Sequence, residues 1–298
     1  MSKFGEIFQS TEIENLYKYL DMVEIKNANF CIEQIANSGQ CFRINKLEST
    51  NVWQVKALGK VLTIHRVDRN TSVFHCSPEE FQNIWMDYFD LQMNYGAIKN
   101  LILATGDAFL CKAVEYGSGL RILRQDLWEV IVSFMISQRN NIPRIKSTIE
   151  KLCAPYECTF PSPHILAQYD EKDFQNLGLG YRARYLVDMV RNVEAGIFDI
   201  GHLKTLDPKK AVAYLKNFSG IGEKVANCIA LYGLHNLMAF PVDTWIGRII
   251  QHQYNGKFST KNFSKYAGIV QQYMFFYQRS LRKQRNASLQ DVPTVLPG

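Results

Sequence analysis

No C-x-x-C pair occurs among the seven cysteines of this 298-residue chain, and its six histidines (His65, His75, His164, His202, His235 and His252) lack the short spacings of a zinc site. A structural zinc is therefore not expected. The odd cysteine count, from Cys31, Cys41, Cys76, Cys111, Cys153, Cys158 and Cys228, fits reduced thiols better than a disulfide framework. A long apolar opening run is missing as well. Met1 to Tyr17 carries Glu6, Glu12 and Glu14 instead, so neither a secretory leader nor a membrane span is expected, and the chain reads as intracellular. Nor is the charge extreme. A formal net charge of +6 and a pI near 8.8 permit an anionic partner without requiring one.

What is present is an ordinary globular composition, 47% hydrophobic over 298 residues, enough to bury a substantial core in two or three domains. Residues 52–58, 61–67 and 72–76 are short runs rich in β-branched and aromatic residues, separated by turn formers, and read as an antiparallel sheet. Helical patterns over 10–20, 78–88 and 93–105 flank it. From Gln125 onward the helical period dominates, over 127–136, 143–152, 182–195 and 262–282. The expected fold class is α+β, with an N-terminal sheet domain over 1–122 and a larger all-helical region over 123–285. Residues 286–298 show no regular period and read as a flexible tail.

The segment from Leu215 to Ala226, Leu-Lys-Asn-Phe-Ser-Gly-Ile-Gly-Glu-Lys-Val-Ala, concentrates the chemistry. Before it, Asp207-Pro208 reads as an N-cap with proline at the first helical position, and Ala211, Val212, Leu215 and Phe218 follow at helical spacing. Gly220 and Gly222 bracket Ile221, which lets the chain reverse while its amides stay uncovered, and those amides open the next helix. Such amides, with the positive end of the helix dipole behind them, suit an anionic oxygen. A plain capped turn between core helices would show the same spacing. Lys224 follows in the first turn of that helix and is either a solvated lysine or an amine nucleophile. Downstream, Pro241-Val242-Asp243 precedes Thr244-Trp245-Ile246, so Asp243 reads as a helix N-cap whose amide contacts favour the carboxylate form.

Several ordered segments resemble helix-hairpin-helix DNA glycosylases of the 8-oxoguanine type. They are Ser38 to Arg43 (Ser-Gly-Gln-Cys-Phe-Arg), Phe134 to Arg144 (Phe-Met-Ile-Ser-Gln-Arg-Asn-Asn-Ile-Pro-Arg), Gly178 to Arg184 (Gly-Leu-Gly-Tyr-Arg-Ala-Arg), the hairpin, Pro241-Val242-Asp243, and Gly268 to Phe275. The likeness spans roughly residues 30 to 280. It implies a helical region of two lobes with the active site in the cleft between them, the hairpin lying near residues 208–231.

The resemblance also implies roles. Lys224 matches the nucleophile that attacks the sugar carbon, displaces the damaged base and leaves a Schiff base, and a secondary amine can become that iminium. Asp243 matches the stabiliser of the positive charge that develops on the sugar. Gly39 matches the position whose backbone carbonyl accepts from the N7 hydrogen that 8-oxoguanine carries and guanine lacks. One hydrogen bond of about 1–3 kcal/mol gives only about 5- to 150-fold discrimination, so selection must accumulate over several steps. Gln271 would read the Watson-Crick edge, with Phe275 and Cys228 on the two faces of the base and Pro241 at the same slot.

On the DNA side, Tyr181 and Arg182 match the wedge and an arginine for the orphaned cytosine, Arg144 a second arginine, and Arg139, Asn140 and Asn141 the asparagine-rich turn, with Gly220, Gly222 and Trp245 on the phosphate side. Two residues depart from the pattern. Arg139 stands where the family has asparagine and Trp245 where close relatives have histidine, which opens the opposite-base preference and one phosphate contact. Iron-sulfur members place four cysteines after the catalytic aspartate, and this chain has none beyond Cys228, so no such cluster and no other cofactor is expected. A structural cation at the hairpin stays open. The expected partner is duplex DNA carrying a damaged purine, bound by a monomer. A glycosylase for another oxidised or alkylated base, or a silent DNA-binding protein that uses only the hairpin, are the alternatives.

Overall fold

In the computed structural model residues 21–48 and 50–290 are described, so the expected helix over 10–20 and residues 291–298 lie outside the described residues. Five strands, β1 (Val23–Lys26), β2 (Ile44–Lys46), β3 (Val52–Ala57), β4 (Lys60–Arg66) and β5 (Thr71–His75), form one antiparallel sheet in the order β1-β5-β4-β3-β2. The expected runs supply its centre. In β3, Trp53, Val55 and Ala57 point inward, and the register Trp53↔Ile64, Val55↔Leu62 puts them beside the inward residues of β4. Beneath this face, Phe30, Phe74, Phe81, Trp85 and Phe89 form an aromatic cluster with neighbouring centroids no more than 6.2 Å apart.

A short helix, α1 (Ile32–Asn37), leads from β1 towards Gly39. The run from Pro78 to Tyr88 is helical as expected, with Phe81–Trp85 wound as a π-helix. Next come α2 (Tyr95–Leu103) and α3 (Ala108–Tyr116), whose apolar residues join the core of the helical region and not that of the sheet. Most of the sheet-side core precedes Met93 and most of the helical core follows it, but the two interleave, since Phe42 joins the helical core and Leu123 that of the sheet.

Helix α4 (Leu127–Ile136) is apolar on nearly every face, so it sits in the middle of the helical core with only Glu129 partly exposed. Around it lie α5 (Ile142–Cys153), α6 (Arg182–Glu194), α7 (Pro208–Leu215), α8 (Glu223–Tyr232), α9 (Thr244–Tyr254) and α10 (Ala267–Gln290). Asp207 caps α7 through the amides of Lys209 and Lys210, with Pro208 at the first position. α10 continues through Gln290, so the part of the expected tail that is described is helical.

The close approach of α10 to α8 depends on Gly268. A Cβ there would stand 2.4 Å from Leu231 Cδ1 and 2.7 Å from the Ala239 carbonyl oxygen, and the Gly268 amide donates to the Leu237 carbonyl at 2.8 Å. A methyl group at this point has to push a backbone oxygen aside. Gly268→Ala should lower the unfolding free energy by about 1–3 kcal/mol, read as a reduced urea midpoint with an unchanged slope; a midpoint equal to that of the parent chain would show that this contact is looser than described.

Candidate active site

An open cleft of about 820 Å3 gathers residues from five parts of the chain: Gly39, the turn after α4 with Arg139, Asn140 and Asn141, the start of α8 with Gly222 and Lys224, the start of α9 with Asp243 and Trp245, and Phe275 and Arg279 of α10. Cys228, Gln271 and Pro241 are buried immediately behind this lining. Local sequence explains the presentation. Gly220 has φ +80° with its backbone against the Tyr185 ring, where a Cβ would lie 2.6 Å from ring carbon Cγ, and Gln138 Nε2 ties the Gly220 carbonyl to the end of α4 at 2.9 Å. Gly222 then forms the N-cap of α8, and no side chain caps that helix, which leaves its first amides facing outward.

Lys224 extends from this first turn and is half-buried, its Nζ 5.3 Å from the centre of the Phe134 ring. One turn on, Cys228 is only 3% exposed. Burial pushes the Cys228 thiol up, and Lys224 is the largest opposing influence through charge and a hydrogen bond to the sulfur. That sulfur is a thiol wall and not a thiolate nucleophile.

Asp243 is the N-cap of α9, its Oδ1 accepting from the amides of Trp245 at 2.9 Å and Ile246 at 2.8 Å. The cap is as the sequence indicated. The expected electrostatic consequence is reversed, because burial raises the Asp243 carboxyl above its ordinary value and outweighs the two amides and Lys224, which pull it down. The amides hold the carboxylate in place without making it unusually acidic.

A further wall of the cleft is built on α10. Gln271, 4% exposed, donates from Nε2 to the Pro241 carbonyl at 3.2 Å, while its buried Oε1 has no partner among the described residues. A buried amide with one end unpaired costs about 1–3 kcal/mol unless something binds there. Phe275 lies one turn further along and lines the cleft. Opposite it, Gly39 has φ +79°, and a Cβ would come within 3.1 Å of Ile142 Cδ1 and 3.3 Å of Phe275 Cε1. A side chain here would fill the slot.

The backbone around Gly39 is fixed by residues that sequence reading passed over. Gln272, 1% exposed, donates to the Ser38 carbonyl at 2.9 Å and accepts from the Tyr232 hydroxyl, and Arg279 donates to the Asn37 carbonyl at 3.0 Å. Gln40 is fully buried and bonded to Ser38 Oγ, the Arg121 carbonyl and the Leu123 amide. Beyond it, Arg43 and Glu129 form a buried ion pair of 3.2 Å, and burial pushes the Glu129 carboxyl up to about 7. Neither the Gln272–Tyr232 brace nor Arg279 had a local signal apart from helical spacing.

On the DNA-facing side the expectations divide. Arg139 is exposed with φ +45°, Asn141 caps α5 through the Arg144 amide at 3.0 Å, Asn140 bonds to the Ile136 carbonyl at 3.2 Å, and Tyr181 is 52% exposed. Arg144 is exposed, with Nη2 3.3 Å from the Gly178 carbonyl. Arg182, expected from the resemblance to meet the orphaned cytosine, points inward in the free protein. It is 6% exposed, and its guanidinium is spent on the carbonyls of Gln138, Leu179 and Arg139 beneath the Tyr181 ring. Trp245 is half-buried, with the Arg282 guanidinium 5.2 Å from its ring centre. Among the described residues no group of His, Cys, Asp or Glu could hold a metal, and no helix is long and apolar enough to cross a membrane.

A glycine hairpin that opens a helix with a lysine in its first turn, with a carboxylate lining the same cleft, is the arrangement of a helix-hairpin-helix protein. Residues 22–131 match the 8-oxoguanine DNA glycosylase N-terminal domain, and residues 132–267 the HhH-GPD superfamily of base excision DNA repair proteins. The chain is 35% identical to the apo 8-oxoguanine glycosylase/lyase of Clostridium acetobutylicum, covering 86% of this chain and 96% of that one with a TM-score of 0.78. It is 33% identical to the same enzyme in complex with duplex DNA containing cytosine opposite 8-oxoguanine, over 88% and 96% of the two chains with a TM-score of 0.78. The N-glycosylase/DNA lyase of Saccharomyces cerevisiae is 26% identical over 80% of this chain and 72% of its own length. The chain belongs to the 8-oxoguanine glycosylase branch of the HhH-GPD base excision DNA repair superfamily.

The raised Asp243 value yields a pH test with a defined sign. Because its folded pKa exceeds the unfolded one, the associated stabilisation is present below the ordinary value of 3.8 and is lost as pH rises through the folded value. Asp243→Asn keeps the cap, so at neutral pH it should unfold at no lower temperature than the parent chain. Its single-turnover base-excision rate should nonetheless fall by about 100-fold or more, and the acidic limb of the rate profile, which in the parent lies above 3.8, should disappear. Retention of both the rate and the limb would remove Asp243 from the chemistry.

Proposed function

We propose that this protein is a bifunctional DNA glycosylase and apurinic-site lyase that flips 8-oxoguanine out of duplex DNA and excises it. The carrying observation is that Gly39, Lys224, Asp243 and Phe275 line one cleft, while Cys228 lies buried one helical turn from Lys224 and Gln271 one turn from Phe275, its Oε1 without a partner among the described residues. In this reading the neutral amine of Lys224 attacks C1′ and the N-glycosidic bond breaks with its electron pair leaving on the base. Asp243 offsets the positive charge that builds on the sugar as that bond lengthens. The attached nitrogen gives up a proton to the departing base, the C1′–O4′ bond then breaks as the nitrogen lone pair forms the iminium, and O4′ takes up a proton from solvent. Loss of a proton from C2′ then expels the 3′ phosphate by β-elimination, and water hydrolyses the iminium to free the lysine.

Gly39 would accept the N7 hydrogen, Gln271 would bond the Watson-Crick edge, and Tyr181 would fill the emptied stack, offsetting part of the few kcal/mol that flipping costs. Arg139, Asn140, Asn141 and Arg144 face the opposite strand in this reading, with Arg182 holding the Gln138–Arg139 turn from beneath. The amides at Gly220 and Gly222, with Trp245, would grip backbone phosphate. Residues 123–285 then form the catalytic region and residues 1–122 contribute the Gly39 wall, in a monomer associated with DNA. The scheme uses no cofactor; a cation at the hairpin would act on the phosphate grip alone.

Borohydride reduction of the iminium supplies the test. Incubation with an 8-oxoguanine:cytosine duplex should give a covalent protein–DNA adduct, and Lys224→Gln should lose at least about 1,000-fold of that capture while its DNA affinity stays within about threefold, since the lysine acts in the chemical step. No capture by the parent chain on any lesion duplex would leave only a DNA-binding role.

A further inference from the structure

Helix α10 carries Gln271, Phe275 and Arg279 at successive four-residue steps, so the three share one face. The third member of this stripe lies at the Gly39 corner of the cleft. Its guanidinium carbon is 5.4 Å from the centre of the Phe275 ring, and its Nη1 lies 3.8 Å from where a Cβ on Gly39 would stand. Nη1 also donates to the Asn37 carbonyl at 3.0 Å, which fixes the group in place. Among the described residues that carbonyl is the acceptor Arg279 uses, so of the five N–H donors of a guanidinium most remain for a ligand. The cleft that Arg279 lines is where they can find one.

The chemistry of the lesion tells which acceptor fits. Oxidation changes two adjacent positions on one edge of guanine: N7 gains a hydrogen and becomes a donor, and C8 gains a carbonyl oxygen and becomes an acceptor. Normal guanine offers a lone pair at N7 and a bare C–H at C8. A backbone carbonyl reads only the first of these changes. A carbonyl with a guanidinium beside it reads both.

We propose that Arg279 donates a hydrogen bond to O8 of the flipped base while the Gly39 carbonyl accepts from N7–H, giving a two-point readout of the oxidised edge. This deepens, and rests on, the 8-oxoguanine reading above. The guanidinium carbon is 5.4 Å from the centre of the Phe275 ring, so a base that packs against this part of the cleft is within reach of the donor. Normal guanine in this slot would set its N7 lone pair against the Gly39 oxygen and leave Arg279 facing a C–H. The two mismatches add, which supplies part of the selectivity that one hydrogen bond cannot.

The test separates base reading from phosphate binding and from structural support. Arg279→Ala and Arg279→Lys are compared with the parent chain in single-turnover reactions on two duplexes, one with 8-oxoguanine opposite cytosine and one with a preformed abasic site at the same position. Both duplexes carry the same phosphates, and only the first has an O8. For Arg279→Ala, excision of 8-oxoguanine should fall by about 10- to 150-fold, the range for losing a hydrogen bond to a charged group. The ratio of excision to abasic cleavage should fall at least about tenfold with it, and Arg279→Lys, which keeps charge without the planar fork, should lie between. A parallel fall on both duplexes, or an unchanged ratio, overturns the assignment, since either means that Arg279 acts on phosphate, on the fold or on nothing in the reaction. If the parent chain cleaves the abasic duplex and leaves 8-oxoguanine intact, the substrate reading itself fails, and that result is distinguishable from the other two.

Discussion

The contact of α10 with α8 at Gly268 sets the distance on which the site depends. Gln271, Phe275 and Arg279 are on one helix and the amine Lys224 with Cys228 is on the other, so the packing of these two helices bears on how far apart the groups stand. At that seam the backbone of α10 lies directly against Leu231 and the Ala239 carbonyl. Tight packing of this kind resists small changes of volume, and a core that interdigitates transmits a shift at one point to its neighbours. A gap for one flat ring is thus held open by groups that do not touch the ring. The Tyr232–Gln272–Ser38 chain of hydrogen bonds extends the same seam to the Gly39 wall, so three sides of the slot share one mechanical origin.

Against this rigid background the cleft is deliberately unsatisfied. Gln271 Oε1 is buried without a partner, the Asp243 carboxylate is held at a cost from burial, and the first amides of α8 have no capping side chain. Each feature opposes stability in the free protein, and each is relieved by a ligand with a donor, a developing positive charge and an anionic oxygen respectively. A nucleotide turned into the cleft offers all three. The apolar α4 and the Arg43–Glu129 pair behind Gly39 belong to the buried packing that holds these groups in place.

How much of this was legible depended on whether a feature was local. Leu127–Ile136 is apolar at every position but Glu129 and Ser133, and pattern alone bounds it correctly. The Asp207-Pro208 start and the Asp243 cap were equally readable, because capping involves neighbours in the chain. β1 and β2, only four and three residues long with mixed polarity, become strands through pairing with β5 and β3, which no local window contains. The sign of the Asp243 shift was misjudged for the same reason. Its amides are adjacent in sequence, whereas the burial that outweighs them comes from the cleft walls. Arg182 lay within a specific motif, yet its side chain turns inward to carbonyls more than forty residues away.

Arg139 joins the local and the tertiary views. Its φ of +45° lies in the left-handed region, where asparagine is more at ease than arginine, so the backbone retains the form that suits the family's asparagine while the side chain has changed. The conformation is held from outside by Arg182, which donates to the carbonyls of Gln138 and Arg139, and by Gln138, whose amide reaches Gly220. With its turn fixed from beneath, residue 139 can vary without disturbing the hairpin that presents Lys224. An asparagine at that point would bring a paired donor and acceptor in one fixed plane; an exposed arginine brings donors only, on a long flexible stem. The same brace thus joins two stretches of the cleft lining, the turn that carries Arg139 and the hairpin that opens the Lys224 helix, through backbone carbonyls and not through the side chain at 139.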